Sequence, residues 1–345
     1  MIKKKKFKYP KVYLYAALGG IAVVLVLVLY YLLASLSTKE EVQYVYIDSD
    51  DTIDSVFHKI EPFGSRVGMK AFHTISRHTS YAKNIHTGRY AIEPGESAIT
   101  VWKKLSRGNQ EPINLTIPEL RTMDRLAGQL SKKLMLDSAT IAQAFYDPEF
   151  CNKYHCDTAT IVCLFIPNTY NIYWDVSLDG LMERMQKEHD NFWTQERIQK
   201  AEAMGLTTDE VQTLASIVDE ETNDLDEKPI IAGLYYNRLK KDMPLQACPT
   251  IKFAWKRFDL RRLYDSLLSI DSPYNTYKNN GLPPGPIKIA SIKGIDAVLN
   301  YKQTEYLYMC AKDDFSGHHA FAATGAEHMA NARRYQKALN ERGIR

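Results

Sequence analysis

A charge-free apolar segment near the N-terminus constrains this chain more than any other feature. Residues 12–36 read VYLYAALGGIAVVLVLVLYYLLASL, and about 20 such residues span the hydrocarbon core of a bilayer. A cleaved signal peptide has an apolar region of only about 7 to 15 residues, so this segment is too long for one. We therefore expect a retained transmembrane helix over residues 12–36.

The charges on the two sides of this segment predict its orientation. Six lysines lie within residues 1–11, whereas Lys39, Glu40 and Glu41 follow the segment. Because basic flanking segments stay on the cytoplasmic side, we expect residues 1–11 to form a cytoplasmic tail. The rest of the chain is then held on a single-pass anchor in the inner membrane, with its folded part in the periplasm. Its substrate and partners are expected there.

The charge distribution argues against a nucleic-acid partner. The chain has 345 residues, of which 45 % are hydrophobic, and a formal net charge of +3. The six lysines of the tail exceed that net charge, so the remainder is slightly acidic. A nucleic-acid-binding protein normally carries its positive charge on the folded domain, where it neutralises phosphates. We therefore expect no nucleic-acid partner.

The five cysteines do not follow a metal-binding pattern. They are Cys151, Cys156, Cys163, Cys248 and Cys310, with no CxxC pair, and no HExxH motif accompanies them. We expect no metal site and no other cofactor. In an exported domain Cys151 and Cys156 can pair across a short loop, and the alternative is that all five are single thiols.

Strand and helix patterns alternate over residues 42–110. The segment VQYVYI alternates between apolar and polar residues, a helical spacing follows it, and GRYAI predicts a second short strand. Ser97 is a candidate N-cap for a further helix. These patterns predict a small α+β module, and the strand pattern INLTI then opens a second, larger domain over residues 112–345.

The segment TTDEVQTLASIVDEETN contains the most informative carboxylate. Thr207 and Glu210 form a capping box, which predicts a helix that begins at about Thr208. The apolar residues of this helix recur at three- and four-residue spacing, and Glu221 continues that row, four residues after Ile217. A carboxylate beside an apolar row has a raised pKa, as a general acid requires near neutral pH. The alternative is that Glu221 is a solvated residue at the end of the helix.

Three consecutive acids at the end of this helix require favourable partners. Asp219, Glu220 and Glu221 lie where the helix macrodipole disfavours negative charge. We expect nearby groups to offset them, and Arg238 in the next predicted helix is the candidate cation.

Polar and aromatic residues further along the chain are candidates for binding carbohydrate. Gln246 lies in MPLQACPT, which has a strand-like pattern, and its amide can bind a sugar hydroxyl or lie on an exposed edge. One histidine of the adjacent pair His318 and His319 is expected to point into the same cleft. Tyrosines near two loops rich in proline and glycine suit either a carbohydrate groove or a core. They are Tyr274, Tyr277, Tyr306 and Tyr308.

Six motifs in this order resemble the YceG-like endolytic murein transglycosylases. The resemblance spans nearly the whole chain. It implies that residues 42–110 form a LysM-like module and that residues 112–345 form a YceG-like catalytic domain of the α+β class. The motifs are LASIVDEET at 214–222, NRL at 237–239 with MPLQ at 243–246 and PT at 249–250, SPYNTY at 272–277, GLPPGPI at 281–287, YLY at 306–308 and GHHAF at 317–321.

In this family the catalytic acid lies at the position of Glu221. The resemblance implies that Glu221 protonates the glycosidic oxygen between N-acetylmuramic acid and N-acetylglucosamine. It then accepts a proton from the muramyl 6-hydroxyl as that oxygen closes on C1, which leaves a 1,6-anhydro end. One carboxylate can serve both steps because the nucleophile is the substrate's own hydroxyl.

The same motifs supply the candidate substrate-binding residues, and three positions depart from the family's pattern. Asp219, Cys248 and Asn168 each replace a different residue of that pattern, and each change can alter substrate preference or the support of the cleft. None of the changes affects Glu221. The candidates for binding substrate are Asp219, Arg238, Gln246, Asn275, Tyr277 and His319.

These observations predict a membrane-anchored lyase that cuts nascent, uncrosslinked glycan strands and so terminates their elongation. Peptidoglycan strands are the implied substrate, and peptidoglycan synthases are the implied protein partners. The main alternative is a non-catalytic scaffold protein that binds peptidoglycan. A third is a hydrolase, which uses water and leaves a reducing end.

Overall fold

The structure is a computed structural model that describes residues 11–260 and 264–343. The described chain is mainly helical and contains three two-stranded sheets. Nearly all of the predicted basic tail lies outside the described residues. In chain order the elements are α1 (Lys11–Leu32), β1 (Gln43–Ile47), α2 (Ile53–Ile60), α3 (Arg66–His78), β2 (Gly88–Ile92), α4 (Ala98–Ser106), β3 (Ile113–Thr116), α5 (Met123–Ser131), α6 (Ser138–Phe145), α7 (Pro148–Lys153), β4 (Thr169–Ile172), α8 (Leu178–Phe192), α9 (Gln195–Ala203), α10 (Thr208–Glu221), α11 (Lys228–Lys240), α12 (Cys248–Ala254), α13 (Ile292–Leu299), β5 (Tyr308–Ala311), β6 (His319–Ala322) and α14 (Gly325–Glu341).

The chain divides into two compact units. The first comprises residues 1–113 and 171–176, and the second comprises residues 114–170 and 177–345. The sequence predicts that residues 112–345 form one domain, whereas residues 171–176 belong to the first unit of the structure. The cause of this difference is visible in Asp175, whose carboxylate accepts hydrogen bonds from Thr87 Oγ1 at 2.7 Å and Gln110 Nε2 at 2.9 Å.

By its length and composition, α1 is the one helix in the described chain that can cross a membrane. It ends at Leu32, four residues before the end of the predicted segment. The reason is that Leu36 is completely buried in the core of the first unit. Its N–H donates to the carbonyl of Glu96, and its carbonyl accepts from the N–H of Ser65. The apolar core of the first unit therefore begins almost directly after the helix.

The first unit has the predicted alternation of strands and helices. β1 and β2 pair antiparallel, with Val45 opposite Tyr90, and α2, α3 and α4 contribute to one apolar core with them. The predicted cap of α4 is confirmed, because Ser97 accepts a hydrogen bond from the N–H of Thr100. The comparison of this module with LysM stays a prediction.

The central element of the second unit is α10. The predicted capping box is present, since Thr207 and Glu210 bond reciprocally and the helix begins at Thr208. Every residue from Val211 to Asp219 is buried, and α10 packs against α11 and α13. This burial holds the C-terminal end of the helix, at Glu221, inside the unit.

The segment MPLQACPT is not a strand. It is irregular as far as Ala247, and α12 then begins at Cys248 with Pro249 in its first turn. The strand-like pattern failed because the two prolines cannot donate to a ladder and favour turns or helix starts. Gln246 itself has φ +50°, a left-handed conformation that no regular strand contains.

Candidate active site

A cavity of about 420 Å³ within the second unit surrounds the end of α10. Its walls come from one face of α11, the segment before α12, the residues of β5 and the start of β6. Five of the seven predicted site residues line it. They are Glu221, Arg238, Gln246, Tyr277 and His319.

Glu221 is held in this cavity by a hydrogen bond from α11. The hydroxyl of the buried Tyr235 donates to Glu221 Oε1 at 2.6 Å. Desolvation raises the pKa of the Glu221 carboxyl above its ordinary value, although Tyr235, His319 and Lys252 act in the opposite direction. The helix does end at this residue, which lines the cavity and is only partly exposed. The shift in pKa therefore has the direction that the sequence predicts.

The three acids at the end of α10 have three different partners. Asp219 forms a buried ion pair with Lys228. Glu220 accepts a bidentate pair of bonds from Arg121, from Nε to Oε1 at 3.0 Å and from Nη2 to Oε2 at 2.8 Å. Glu221 has the hydroxyl of Tyr235. As predicted, each of the three acids has a favourable partner. The prediction that Arg238 is that partner is wrong for the described residues.

Asp219 lies outside the cavity lining and joins three elements of the second unit. Besides Lys228 on α11, it accepts bonds from the N–H of Ser291 at 2.7 Å and from Ser291 Oγ at 2.8 Å. A Cβ on Gly294 would lie only 2.5 Å from Asp219 Oδ1. This enclosure by protein supports a role in holding α10 against α11 and α13 rather than one in contacting substrate.

Arg238 is buried and bonds to carbonyl oxygens instead of to an acid. Its Nε donates to the carbonyl of Leu307 at 2.6 Å, and its Nη1 donates to those of Pro244 and Leu245 at 2.9 Å. Burial lowers the pKa of its guanidinium. Nη1 also lies 3.3 Å from Gln246 Oε1. Arg238 therefore ties α11 to two segments of the cavity wall.

The loop at residues 272–277 contains Asn275 and Tyr277. Asn275 is completely buried and donates to the carbonyls of Leu268 and Ile270 at 2.9 and 2.8 Å, so it holds the loop and does not line the cavity. The hydroxyl of Tyr277 lies 3.2 Å from Cys248 Sγ at the cavity wall. Burial raises the pKa of the Cys248 thiol. All five cysteines are free thiols, so Cys151 and Cys156 do not pair.

His319 lies at the start of β6 and faces the same cavity. A buried carboxylate, Glu227 at the N-terminal end of α11, accepts from its backbone N–H at 2.6 Å and lies 3.0 Å from its Nδ1. The neighbouring His318 is exposed, with Nδ1 at 3.7 Å from Glu227 Oε1.

Sequence reasoning missed Tyr235 and Glu227. A signal existed for Tyr235, because it precedes Arg238 by three residues and so shares its helix face. No periodic pattern marks Glu227, which is 92 residues from His319. Its contact with β6 arises only when the chain folds.

The comparisons identify the family. The sequence model of the YceG-like family matches residues 45–334. Because this match covers most of the chain, the chain belongs to the YceG-like family.

Similar proteins and a similar crystal structure are consistent with membership in this family. A protein of Bacillus subtilis (strain 168) named endolytic murein transglycosylase is 30 % identical over 277 residues, which are 76 % of each chain. One of Streptococcus pneumoniae serotype 2 (strain D39) with the same name is 29 % identical over 259 residues. This alignment covers 66 % of the present chain and 47 % of that protein. The crystal structure of a YceG-like protein from Listeria monocytogenes has a TM-score of 0.55 and 27 % identity, covering 85 % of this chain and 99 % of that one.

Proposed function

We propose that this chain is a membrane-anchored endolytic murein transglycosylase, a lyase that cuts peptidoglycan glycan strands. The observation that carries this proposal is a cavity whose described lining contains one carboxylate, that of Glu221. Desolvation raises the pKa of that carboxylate. A single acid of raised pKa is what a reaction needs when one group first donates and then accepts a proton.

In the first step Glu221 acts as the general acid. Its proton passes to the oxygen that links N-acetylmuramic acid to the next N-acetylglucosamine, and the bond between C1 and that oxygen breaks. The raised pKa favours the protonated form that this step requires. The leaving sugar departs with a new hydroxyl group.

In the second step the same carboxylate acts as the base. The muramyl 6-hydroxyl attacks C1, its proton passes to Glu221, and a 1,6-anhydro ring closes. The carboxyl is then protonated again, so the proton balance of the enzyme closes without water. The hydroxyl of Tyr235 donates to the carboxylate and stabilises its ionised form between the two steps.

The cavity favours a lyase over a hydrolase. An inverting glycosidase places a second carboxylate about 6.5–9.5 Å from the first to activate water, and a retaining one uses a second carboxylate as nucleophile. The other charged or titratable side chains of the described lining include Arg238, His319 and His328, and no second acid is among them.

The scaffold alternative is tested by one substitution. Full-length protein in detergent is incubated with uncrosslinked glycan strands, and the strand ends are identified by mass spectrometry. We expect anhydro-muramyl ends from the unmodified protein and a loss of about 10²- to 10⁴-fold in rate for Glu221→Gln. Glu210→Gln is the matched control, because it makes the same change at the other end of α10 and a glutamine still completes the capping box. Equal rates for the two variants would contradict the assignment, and binding without cleavage would favour the scaffold.

The proposed location is the membrane surface, with α1 as the anchor and the folded units on the side opposite the basic tail. The chain leaves α1 at Leu32, and Leu36 is already in the core of the first unit. This short connection supports action on nascent strands near the membrane, and thereby a role in ending their elongation beside the synthases. Replacing residues 1–32 by a cleaved export signal should lengthen strands in cells. Unchanged strand length would refute the need for the anchor.

A further inference from the structure

We propose that Glu227 is a positioning residue that fixes the tautomer of His319, so that His319 Nε2 accepts a hydrogen bond from a hydroxyl of the bound sugar. This inference rests on the proposed function for the nature of the ligand. The arrangement of the two residues is independent of it.

Glu227 contacts His319 with both of its carboxylate oxygens. Oε1 accepts from the backbone N–H of His319 at 2.6 Å, and Oε2 lies 3.0 Å from the ring nitrogen Nδ1. The glutamate is only 5 % exposed, and its own N–H donates to Asp224 Oδ1 at 3.0 Å. The carboxylate is therefore held at the start of α11 and clamps both the main chain and the ring of His319.

This clamp determines which ring nitrogen carries the proton. An ionised carboxylate can only accept hydrogen bonds, so the nitrogen that faces it must be the N–H. In the neutral ring Nδ1 is then the donor and Nε2 holds the free lone pair. Within the described residues Nε2 has no hydrogen-bond partner, and His319, whose side chain is 18 % exposed, is among the residues that line the cavity containing Glu221. The lone pair is thus available to a donor on the substrate.

Among the neighbouring charged groups, Glu227 is the one whose side chain lies within hydrogen-bond distance of His319 Nδ1 in the described residues. His318 Nδ1 lies 3.6 Å from Asp224 Oδ2 and 3.7 Å from Glu227 Oε1, but His318 is exposed and does not line the cavity. Glu221 interacts electrostatically with His319 across the cavity. His318 is therefore a matched control, since it is the adjacent histidine beside the same carboxylate.

The first test measures the tautomer directly, without substrate. Full-length protein labelled with ¹⁵N-histidine is placed in detergent micelles, and the His319 ring signals are assigned by their loss in His319→Gln. We expect Nδ1 protonated and Nε2 unprotonated in the neutral ring. In Glu227→Gln the amide oxygen stays with the fixed backbone N–H and its NH₂ faces Nδ1, so the tautomer should reverse. A protonated Nε2 in the unmodified protein, or no change in Glu227→Gln, would overturn the proposal.

The second test measures cleavage. Glu227→Gln and His319→Ala should each lower kcat/KM by about 5- to 100-fold, the size expected when a buried hydroxyl donor loses its acceptor. The double variant should be no worse than His319→Ala, since Glu227 acts through that ring. His319→Gln, which can place an amide oxygen near the Nε2 position, should retain more activity than His319→Asn, and His318→Gln should be unaffected. Additive losses would overturn the proposal.

The two tests separate this inference from the proposed function. If the unmodified protein cleaves no glycan, the proposed function fails while the tautomer measurement still decides the role of Glu227. If cleavage occurs but the tautomer does not depend on Glu227, only the present inference fails. Melting temperatures of the variants show whether each one is folded.

Discussion

Removing the hydroxyl of Tyr235 should shift the pH dependence of the reaction. Tyr235→Phe keeps the shape of a buried side chain but removes the 2.6 Å hydrogen bond to Glu221 Oε1. A hydrogen bond to a charged group contributes about 1.5–3 kcal/mol. Since one pKa unit corresponds to about 1.4 kcal/mol, the pKa of Glu221 should rise by about one to two units.

The sign of the effect follows from the role of Glu221 as an acid. Activity is lost as the pH rises through the pKa of a group that must be protonated, so the alkaline limb of the kcat/KM profile should move upward by about one to two pH units. The profile is measured by the release of anhydro-muramyl ends over a pH series. An unmoved limb, or one that moves to lower pH, would refute the reasoning.

Tyr236→Phe is the matched control for this experiment. The Tyr236 hydroxyl donates to the carbonyl of Met204 at 2.9 Å, and Tyr236 does not line the cavity. The substitution should cost about 1 kcal/mol in stability and leave the pH profile unchanged. A common shift in both variants would indicate a general effect of losing a buried hydroxyl.

Three further predictions concern the same cluster. Because burial raises the pKa of Glu221, the folded state holds that proton more tightly and loses stability as the pH rises through the folded pKa. Glu221→Gln should therefore raise the melting temperature at mildly alkaline pH by roughly 2–4 °C, the change that about 1 kcal/mol of stability produces. An unchanged melting temperature would contradict the raised pKa of Glu221. Asp219→Ala leaves the buried Lys228 without its acid and should lower the free energy of unfolding in urea by about 3–5 kcal/mol, whereas a loss below about 1 kcal/mol would exclude the structural role. Cys248→Asp places a carboxylate in the cavity with Glu221, so like-charge repulsion should move the alkaline limb to higher pH, and a fixed limb would show that the two groups are not coupled.

Local chemistry allowed several elements to be predicted from the sequence. The capping box at Thr207 fixed the start of α10, and the segment GRYAI predicted β2 with its correct bounds. The row of apolar residues along α10 also pointed to Glu221. These predictions succeeded because each was made from residue types and spacing within a few residues of the chain.

The parts that could not be predicted depend on contacts between distant segments. Leu36 ends a segment whose composition is that of a membrane span, yet its side chain is buried in the core of the first unit. Gln246 has the pattern of a strand, but the loop at 272–277 fixes its position, since its N–H donates to the carbonyl of Thr276 at 3.0 Å. The contact of Glu227 with His319 also joins distant segments. Pattern and spacing carry no information on such pairs.

The most direct test of the account is the source of the atoms at the new strand end. Full-length protein cleaves uncrosslinked glycan strands in water labelled with ¹⁸O, and the new muramyl ends are weighed by mass spectrometry. If Glu221 acts as both acid and base on the substrate's own hydroxyl, the ends are anhydro sugars, one water lighter than reducing ends and free of label. Reducing ends that carry ¹⁸O from the start of the reaction would contradict the account and establish a hydrolase.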